Sequence, residues 1–210
     1  MYKKAFFQIC FNLACFTLAL EDSFALPKEI QVVSGTVEVQ HVDSHTMEIK
    51  PSDQAIINYS KFDIGKKERV KFIQNSSSSS VLNRVRGNDP SHILGFLESN
   101  GRVFLLNSNG IYFGPESKVN VGSLIASTLD IADEDFLKEK YRFILNKDNL
   151  SEIKNEGSLI SLEGSIVLMA PKICNLGVVE AKAGNVILGS GEHVTLDFTG
   201  DGLIQFSVRS

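Results

Sequence analysis

The sequence is poor in two residue types: it has no tryptophan and only three cysteines. Two of the cysteines, Cys10 and Cys15, lie in an apolar leader described below, so that Cys174 alone remains in the rest of the chain. A single cysteine cannot close an internal disulfide, and it does not make a zinc site, which needs four ligands. Burial of apolar side chains and backbone hydrogen bonds must therefore stabilise the fold.

The sequence also lacks the basic excess and the short motifs that mark several functional classes. Its formal net charge is −4, which argues against a nucleic-acid binder because such domains are usually basic. No P-loop, dinucleotide-binding fingerprint or Gly-x-Ser-x-Gly nucleophile motif occurs. We therefore expect no catalytic residue, no cofactor, no metal and no nucleic-acid partner.

Two histidines, His41 and His45, are four residues apart, a spacing that could hold a metal ion on a helix. The surrounding segment alternates like a strand and ends in a turn, and no His-Glu-x-x-His arrangement is present. We interpret both as surface histidines.

Four acidic residues form a cluster near the middle of the chain: Asp130, Asp133, Glu134 and Asp135. Paired carboxylates could hydrolyse a glycoside, but acidic residues also stabilise the first turn of a helix. The cluster leads into residues 133–142, whose acids come first and whose bases come last. We favour the structural interpretation and predict one short helix there.

The first 25 residues have the parts of an export signal. Two lysines precede a mostly apolar stretch, residues 5–20, and small residues, Ser23 and Ala25, follow where a signal peptidase requires them. Polar residues interrupt the apolar stretch, which makes it short for a transmembrane anchor. We predict cleavage between Ala25 and Leu26, export through the periplasm, and no stable membrane insertion of the mature domain.

From Leu26 onward, apolar and polar residues alternate over short runs bounded by Gly, Asn, Ser or Asp, which is the pattern of β-strands. At least eight such runs fit before Val208. Clear examples are residues 37–40, 47–50, 70–73, 103–106 and 194–198. The pattern predicts an all-β domain.

An internal repeat of 20 residues marks the second half of the chain. The offset places residues 155–160 over 175–180 and residues 164–168 over 184–188, with glycines, an asparagine and aliphatic residues in register. A looser copy begins at Gly200. A period of about 20 residues built from strands and glycine turns is typical of a solenoid, in which no single coil can bury its own apolar face.

In such a solenoid Ile166 stacks on Val186 and Leu168 on Leu188, about 4.8 Å apart. Asn and Gly at the corners would supply left-handed or tight backbone angles. The Leu-x-x-Leu-x-Leu pattern of leucine-rich repeats is missing. A β-sandwich stays open as an alternative, because alternation alone does not exclude it.

Several blocks of the first half occur in a specific order. They are residues 54–65 (QAIINYSKFDIG), 70–74 (VKFIQ), 81–85 (VLNRV), 100–106 (NGRVFLL), 107–114 (NSNGIYFG) and 119–130 (VNVGSLIASTLD). In order and spacing they resemble the haemagglutination-activity, or two-partner-secretion, domain of exoproteins of the filamentous-haemagglutinin type. The resemblance extends over about residues 26–143.

The resemblance implies a right-handed, single-stranded parallel β-helix of the pectin-lyase-like kind. It adds N-terminal cap strands, strands outside the helix and one short helix. It also implies a secretion module of a Gram-negative adhesin-like exoprotein, recognised by an outer-membrane β-barrel transporter with periplasmic POTRA domains. The chain would cross the periplasm largely unfolded and fold outside, and the rest of the exoprotein would contact a host-cell surface.

The resemblance assigns transporter recognition to one turn: Asn107, Ser108, Asn109, Gly110 and Ile111. The family usually has proline where this chain has Ser108. Proline pre-sets a turn angle, and we expect the turn to form without it. A second asparagine-rich motif of some members is not evident here.

We divide the chain into a leader, residues 1–25, and one domain, residues 26–210. The family-like block runs to about residue 143, and regular coils run from about residue 151 to the end. Strand-like alternation continues to the last residues, which suggests that the natural protein is longer or that this is a truncated copy.

Two other functions stay open: a β-helical carbohydrate-active enzyme, such as a polysaccharide lyase or glycosidase, and a stand-alone surface adhesin. The enzyme would need charged residues that converge on one groove. The candidates in the coil region share no repeat register: Lys154, Lys172, Lys182, Asp197 and Asp201.

Overall fold

The structure, a computed structural model, describes residues 25–145, 150–191 and 193–196 and the backbone of residues 205–207. Residues 1–24 of the predicted leader and the looser repeat at Gly200 lie outside these residues. In the part of the chain that is described, no helix is long and apolar enough to cross a bilayer.

The described chain is almost entirely β-structure. The strands up to the predicted recognition turn are β1 (Gln31–Ser34), β2 (Val37–His41), β3 (Thr46–Pro51), β4 (Ala55–Tyr59), β5 (Arg69–Phe72), β6 (Ser80–Val85), β7 (Ser91–Ile93), β8 (Phe96–Ser99) and β9 (Arg102–Leu106). The next elements are β10 (Ile111–Phe113), β11 (Lys118–Val121), β12 (Ser123–Ser127), β13 (Asp130–Ile131), α1 (Asp133–Leu137) and β14 (Tyr141–Ile144). The last are β15 (Glu152–Asn155), β16 (Ser158–Ser161), β17 (Ile166–Met169), β18 (Lys172–Asn175), β19 (Val178–Ala181), β20 (Val186–Gly189), β21 (His193–Leu196) and β22 (Gln205–Ser207).

Three parallel ladders form the faces of a solenoid. The first face has the strand order β4-β6-β9-β12-β17-β20, and the second has β3-β5-β8-β11-β16-β19. The third, shorter face is β7-β10-β15-β18. Six strands in each longer face correspond to about six coils, so the prediction of a parallel β-helix is confirmed.

The 20-residue repeat has the predicted register. Ile166 pairs with Val186 and Leu168 with Leu188 across β17 and β20. Asn155 pairs with Asn175 on the third face, where the Asn155 Nδ2 donates a hydrogen bond to Asn175 Oδ1 at 2.8 Å. Strands that stack one coil apart are incompatible with two facing sheets, and the alternative of a β-sandwich is therefore wrong.

Glycines at the corners of the coils serve close packing rather than unusual backbone angles. Gly157 and Gly177 do not have a positive φ, whereas Gly110 does. A Cβ atom on Gly177 would lie 2.2 Å from the carbonyl oxygen of Gly157. The repeat therefore keeps glycine because neighbouring coils approach too closely for a side chain, which corrects the reason we expected.

Antiparallel strands cap the amino-terminal coil, as predicted. β1 pairs antiparallel with β4 at the edge of the first face, and β2 pairs antiparallel with β3 at the edge of the second. These pairings use backbone groups that an open first coil would leave exposed as a hazard for aggregation.

The first face is buried on both sides. The interior core fills the solenoid and contains Leu124 and Ala126 of β12. The outer core lies on the other side of the same strands and contains Ile125 together with Phe136 of α1. Every residue of β12 is consequently buried, as is usual for a strand covered on both faces.

A small antiparallel sheet, β13-β14-β21-β22, and α1 lie outside the solenoid and cover the first face. Phe104 of β9 packs against Phe136 and stacks on Tyr141, with ring centroids 5.2 Å apart in both pairs. The predicted extra-helical strands and short helix are thus present.

Two boundaries differ from prediction. The helix ends at Leu137 rather than Arg142, because Tyr141 and Phe143 turn alternately inward onto the outer core as strand β14. Among the described residues, β20 is the last strand of the first parallel ladder. Strand β21 pairs antiparallel with β14 instead, which buries Val194 and Leu196 in the outer core.

Candidate functional site

The predicted recognition residues form a tight turn between β9 and β10. The Gly110 N–H donates a hydrogen bond to the Asn107 carbonyl oxygen at 3.1 Å, which closes a four-residue turn. Ser108 therefore occupies the second position of the turn, the one at which proline is favoured. The structure shows that serine supports the same turn closure.

Asn107 anchors this turn and is almost fully buried. Its Nδ2 donates hydrogen bonds to the Asp89 carbonyl oxygen and to Ser91 Oγ, both at 3.0 Å. Its Oδ1 accepts hydrogen bonds from the backbone N–H and Nδ2 of Asn109, at 2.9 and 3.2 Å. All these contacts are internal, so Asn107 has a structural role in the folded domain.

Asn109 and Gly110 attach the turn to the preceding coil. The Asn109 Nδ2 donates a hydrogen bond to the Gly87 carbonyl oxygen at 2.8 Å. Gly110 has a φ of 116°, and a Cβ atom there would lie 3.1 Å from the carbonyl oxygen of Glu152. Glycine is therefore required both for the backbone angle and for the close approach of the next coil.

The five predicted residues differ sharply in accessibility. Ile111 belongs to the interior core, and Asn107 and Gly110 are buried. Ser108 and Asn109 are half-buried. A partner that meets the folded domain can therefore contact the side chains of Ser108 and Asn109, whereas the other positions are accessible only before folding.

Ser108 borders an open groove of about 840 Å³ between the turn and α1. Its charged lining consists of Arg84, Arg86 and the acidic cluster of Asp130, Asp133, Glu134 and Asp135. The buried Thr128 also lines the groove, and its hydroxyl has no hydrogen-bond partner. The turn and the acidic cluster, which are far apart in sequence, thus share one surface.

Arg84 explains the position of the acidic cluster. This buried side chain donates from Nε to Asp130 Oδ1 at 2.7 Å and from Nη1 to Asp133 Oδ1 at 2.6 Å. Its Nη2 donates to the Ile131 carbonyl oxygen at 2.5 Å. The cap of α1 is Ala132, which makes no side-chain cap hydrogen bond. Asp130 and Asp133 are therefore bound to Arg84. The other two members of the cluster, Glu134 and Asp135, lie with Asp133 in the first helical turn, as predicted.

Within the acidic cluster, Asp135 does not suit the general acid of glycoside hydrolysis. A hydrogen bond and ion pair with the Arg142 guanidinium lower the pKa of Asp135, whereas a general acid needs a raised pKa. In the coil region Lys154 pairs with Glu156 at 2.7 Å and Lys172 with Glu152 at 2.6 Å. Asp197 and Asp201 lie outside the described residues.

His41 and His45 belong to the amino-terminal part of the described chain, at the end of β2 and just before β3. His41 ends β2, and His45 follows in a turn in which its Nδ1 lies 2.8 Å from Ser44 Oγ. Among the described residues, no group of three His, Cys, Asp or Glu side chains could hold a metal ion.

The predicted cleavage bond lies at the amino-terminal end of the solenoid. The Leu26 side chain is buried in the interior core. The Ala25 N–H donates a hydrogen bond to Glu68 Oε1 at 2.8 Å. The residue after the predicted bond is therefore part of the folded core.

Sequence reasoning missed Arg84 and Glu68, two charged residues that the fold encloses. Arg84 could have been found, because it is the one charged residue in a strand-like run of mostly apolar residues, Val81-Leu82-Asn83-Arg84-Val85. A charge at such a place needs a partner when the strand is buried on both sides. Glu68 lies in a polar segment, Lys66-Lys67-Glu68-Arg69, that gives no such signal.

Comparison with known proteins identifies the fold as that of a secretion domain. A family model described as the TPS secretion domain matches residues 24–207. The crystal structure of the HMW1 secretion domain from Haemophilus influenzae superposes with a TM-score of 0.82 at 35% sequence identity. The match covers 88% of this chain and 50% of the HMW1 chain.

Two curated relatives are heme/hemopexin-binding proteins of Haemophilus influenzae. One is 34% identical over 144 residues, which are 68% of this chain and 16% of that protein. The other, from strain Rd, is 30% identical over 178 residues, which are 81% of this chain and 20% of that protein. The chain thus spans a fifth or less of the length of these two curated relatives.

Proposed function

The chain belongs to the family of TPS secretion domains. From this premise we propose that the POTRA domains of an outer-membrane transporter bind its turn at residues 107–111. The domain is a secretion and targeting module, and its partner is in general a transporter of the two-partner-secretion pathway. The proposal concerns the residues that the transporter binds and whether it binds them before or after the domain folds.

The observation that carries the proposal is the division of the turn into buried and accessible positions. Asn107 makes only internal hydrogen bonds in the folded domain, whereas Ser108 borders an open groove. A transporter that binds the folded domain would depend on Ser108 and Asn109. A transporter that binds the unfolded chain in the periplasm can also depend on the carboxamide of Asn107, which the folded domain encloses.

We favour recognition before folding is complete. In an extended chain the carboxamides of Asn107 and Asn109 are free to bind a partner strand or loop, and folding later transfers these hydrogen bonds to Gly87, Asp89 and Ser91. The same groups would then serve recognition first and stability afterwards. Transfer to internal partners would also release the domain from the transporter.

The test is secretion beside the cognate transporter in a Gram-negative host, together with binding of the folded domain to purified POTRA domains. We expect Asn107→Gln to lower secretion at least threefold, since glutamine shifts the carboxamide by about one bond length. We expect Ser108→Arg to leave secretion within twofold. Folded wild-type domain should bind POTRA domains weakly.

A matched control tests whether an added arginine at any exposed position impairs secretion. Ser78→Arg introduces the same change in an exposed loop on another part of the solenoid. Secretion of Asn107→Gln at the wild-type level would refute the role of the turn. Loss of secretion in Ser108→Arg, but not in Ser78→Arg, would show recognition of the folded surface instead.

Residues 1–25 act as a leader that directs the chain to the periplasm, and cleavage after Ala25 yields the mature domain. The domain itself catalyses no reaction, and contacts with a host-cell surface belong to the rest of the exoprotein. Mass spectrometry of secreted protein tests the leader, because it should begin at Leu26.

A further inference from the structure

Glu68 is a carboxylate enclosed at the amino-terminal end of the solenoid, with 4% of its surface exposed. Its Oε1 accepts the hydrogen bond from the Ala25 N–H at 2.8 Å, and its Oε2 accepts one from the Gly65 N–H at 2.7 Å. Both donors are neutral backbone groups. No ion pair among the described residues includes Glu68.

A buried carboxylate without a cationic partner destabilises a fold, because neutral donors replace only part of its hydration. The Glu68 carboxylate lies next to the peptide bond between Ala25 and Leu26, which is predicted to be cleaved. Hydrolysis of the bond between Ala25 and Leu26 consumes one water molecule. It leaves a carboxylate on Ala25 and an amine on Leu26, which takes up a proton at neutral pH.

We propose that Glu68 is the counter-ion of the α-ammonium group that leader removal creates on Leu26. The nitrogen atoms of adjacent residues are less than about 4 Å apart by backbone geometry. Once Ala25 has left with the leader, the Leu26 ammonium can turn into the place of the Ala25 N–H. This inference rests on the leader cleavage of the proposed function.

Both sides of this ion pair are held in position. The Glu68 N–H donates to the Gly65 carbonyl oxygen at 2.8 Å, and the Glu68 carbonyl oxygen accepts from the Phe96 N–H at 2.9 Å. On the other side, the Leu26 side chain is in the interior core, and the Lys28 N–H donates to the Lys61 carbonyl oxygen at 2.9 Å. The acceptor is therefore rigid and the new terminus has little freedom to move away.

The consequence is a coupling between processing and folding. While the leader is attached, Glu68 has only neutral donors, and the amino-terminal coil is less stable. Removal of the leader supplies the charge and fixes Leu26 to the turn that carries Glu68. A chain that still carries its leader would thus fold less readily than the processed one, which suits a module that must reach the periplasm unfolded.

The test is a cycle of four purified chains: wild type and Glu68→Gln, each beginning either at Leu26 or at Ser23. Fusion to a removable partner gives each defined start. We expect Glu68→Gln to lower the unfolding midpoint by about 4 °C more in the chains that begin at Leu26 than in the longer ones. Equal shifts at both starts would overturn the inference. Glu180→Gln, an exposed carboxylate far from this end, should give equal shifts.

A second measurement needs only the two wild-type chains and does not depend on how the variant folds. The rate at which an acylating reagent modifies the terminal amine at neutral pH should be at least tenfold slower for the chain that begins at Leu26. Similar rates for both chains would overturn the inference. Neither experiment involves a transporter, so a failed ion pair leaves the proposed recognition untouched.

Discussion

Tyr59 donates its phenolic hydrogen to Asn83 Oδ1 at 2.9 Å inside the solenoid, where both side chains are excluded from solvent. The Asn83 Nδ2 in turn donates to the Phe104 carbonyl oxygen at 3.1 Å. This chain of hydrogen bonds links β4, β6 and β9, three successive coils of the first face. Burial also raises the pKa of Tyr59 well above its ordinary value.

Replacing this tyrosine should change stability in a pH-dependent way. At neutral pH, Tyr59→Phe leaves Asn83 Oδ1 without its donor, and we expect a loss of about 1–2 kcal/mol in the free energy of unfolding. Above pH about 10, the ordinary tyrosine pKa, the unfolded wild type ionises whereas folded Tyr59 stays protonated. The wild type therefore loses stability as pH rises, and the variant should lose less.

The measurement is urea denaturation of both proteins at pH 7 and at pH 11. The stability difference between wild type and Tyr59→Phe should shrink or reverse at the higher pH. Phe62→Leu changes a buried aromatic neighbour of Tyr59 that has no ionisable group, and it serves as the control. A difference that stays constant between the two pH values would contradict the assignment.

The recognition turn gives two stability predictions of opposite sign. Asn107→Ala removes the hydrogen bonds to Asp89, Ser91 and Asn109, and we expect it to lower the free energy of unfolding by about 2–4 kcal/mol.

Ser108→Pro places proline at its favoured turn position and should raise the free energy of unfolding by up to about 1 kcal/mol. Chemical denaturation measures both, and a destabilising Ser108→Pro would show that this turn does not accept the proline angle.

Arg84 should be the main polar link between the solenoid and the elements outside it. Arg84→Met keeps the apolar stem but removes the hydrogen bonds from Arg84 to Asp130, Asp133 and the Ile131 carbonyl oxygen. Because both carboxylates are nearly half exposed, water replaces part of the loss, and we expect about 2–3 kcal/mol. Hydrogen exchange should accelerate most in α1 and β14. Arg86→Met, whose side chain is exposed, should have little effect.

The solenoid could be predicted from the sequence because its repeat is local and regular. The offset of 20 residues fixed which residues pair, for example Ile166 with Val186. The direction of each side chain follows from strand alternation. The 20-residue spacing of Gly157 and Gly177 was visible in the sequence. The reason for glycine at these positions, the lack of space for a Cβ atom between the coils, was not.

The elements outside the solenoid were harder to predict because their pairing is non-local and not repeated. The residues of β14 carry the charge order of a helix end, yet their alternation matches a strand that covers the outer core. Its partner β21 is about 50 residues away, and no spacing rule joins them. The groove beside Ser108 depends on this packing and therefore could not be derived from the turn motif alone.

The same close stacking gives a prediction for a single added methyl group. On Gly157 a Cβ atom would lie 2.1 Å from Ser117 Oγ and 2.5 Å from the Gly114 carbonyl oxygen. The serine hydroxyl can rotate away, but the backbone carbonyl cannot move without shifting the coil. We expect Gly157→Ala to cost at least about 2 kcal/mol in the free energy of unfolding, measured by chemical denaturation. The control is Ser158→Ala at the adjacent, half-buried position, which adds no atom and should cost less than about 1 kcal/mol. Equal effects of the two changes would mean that the coils can separate at this corner, and that the glycine is not needed for their contact.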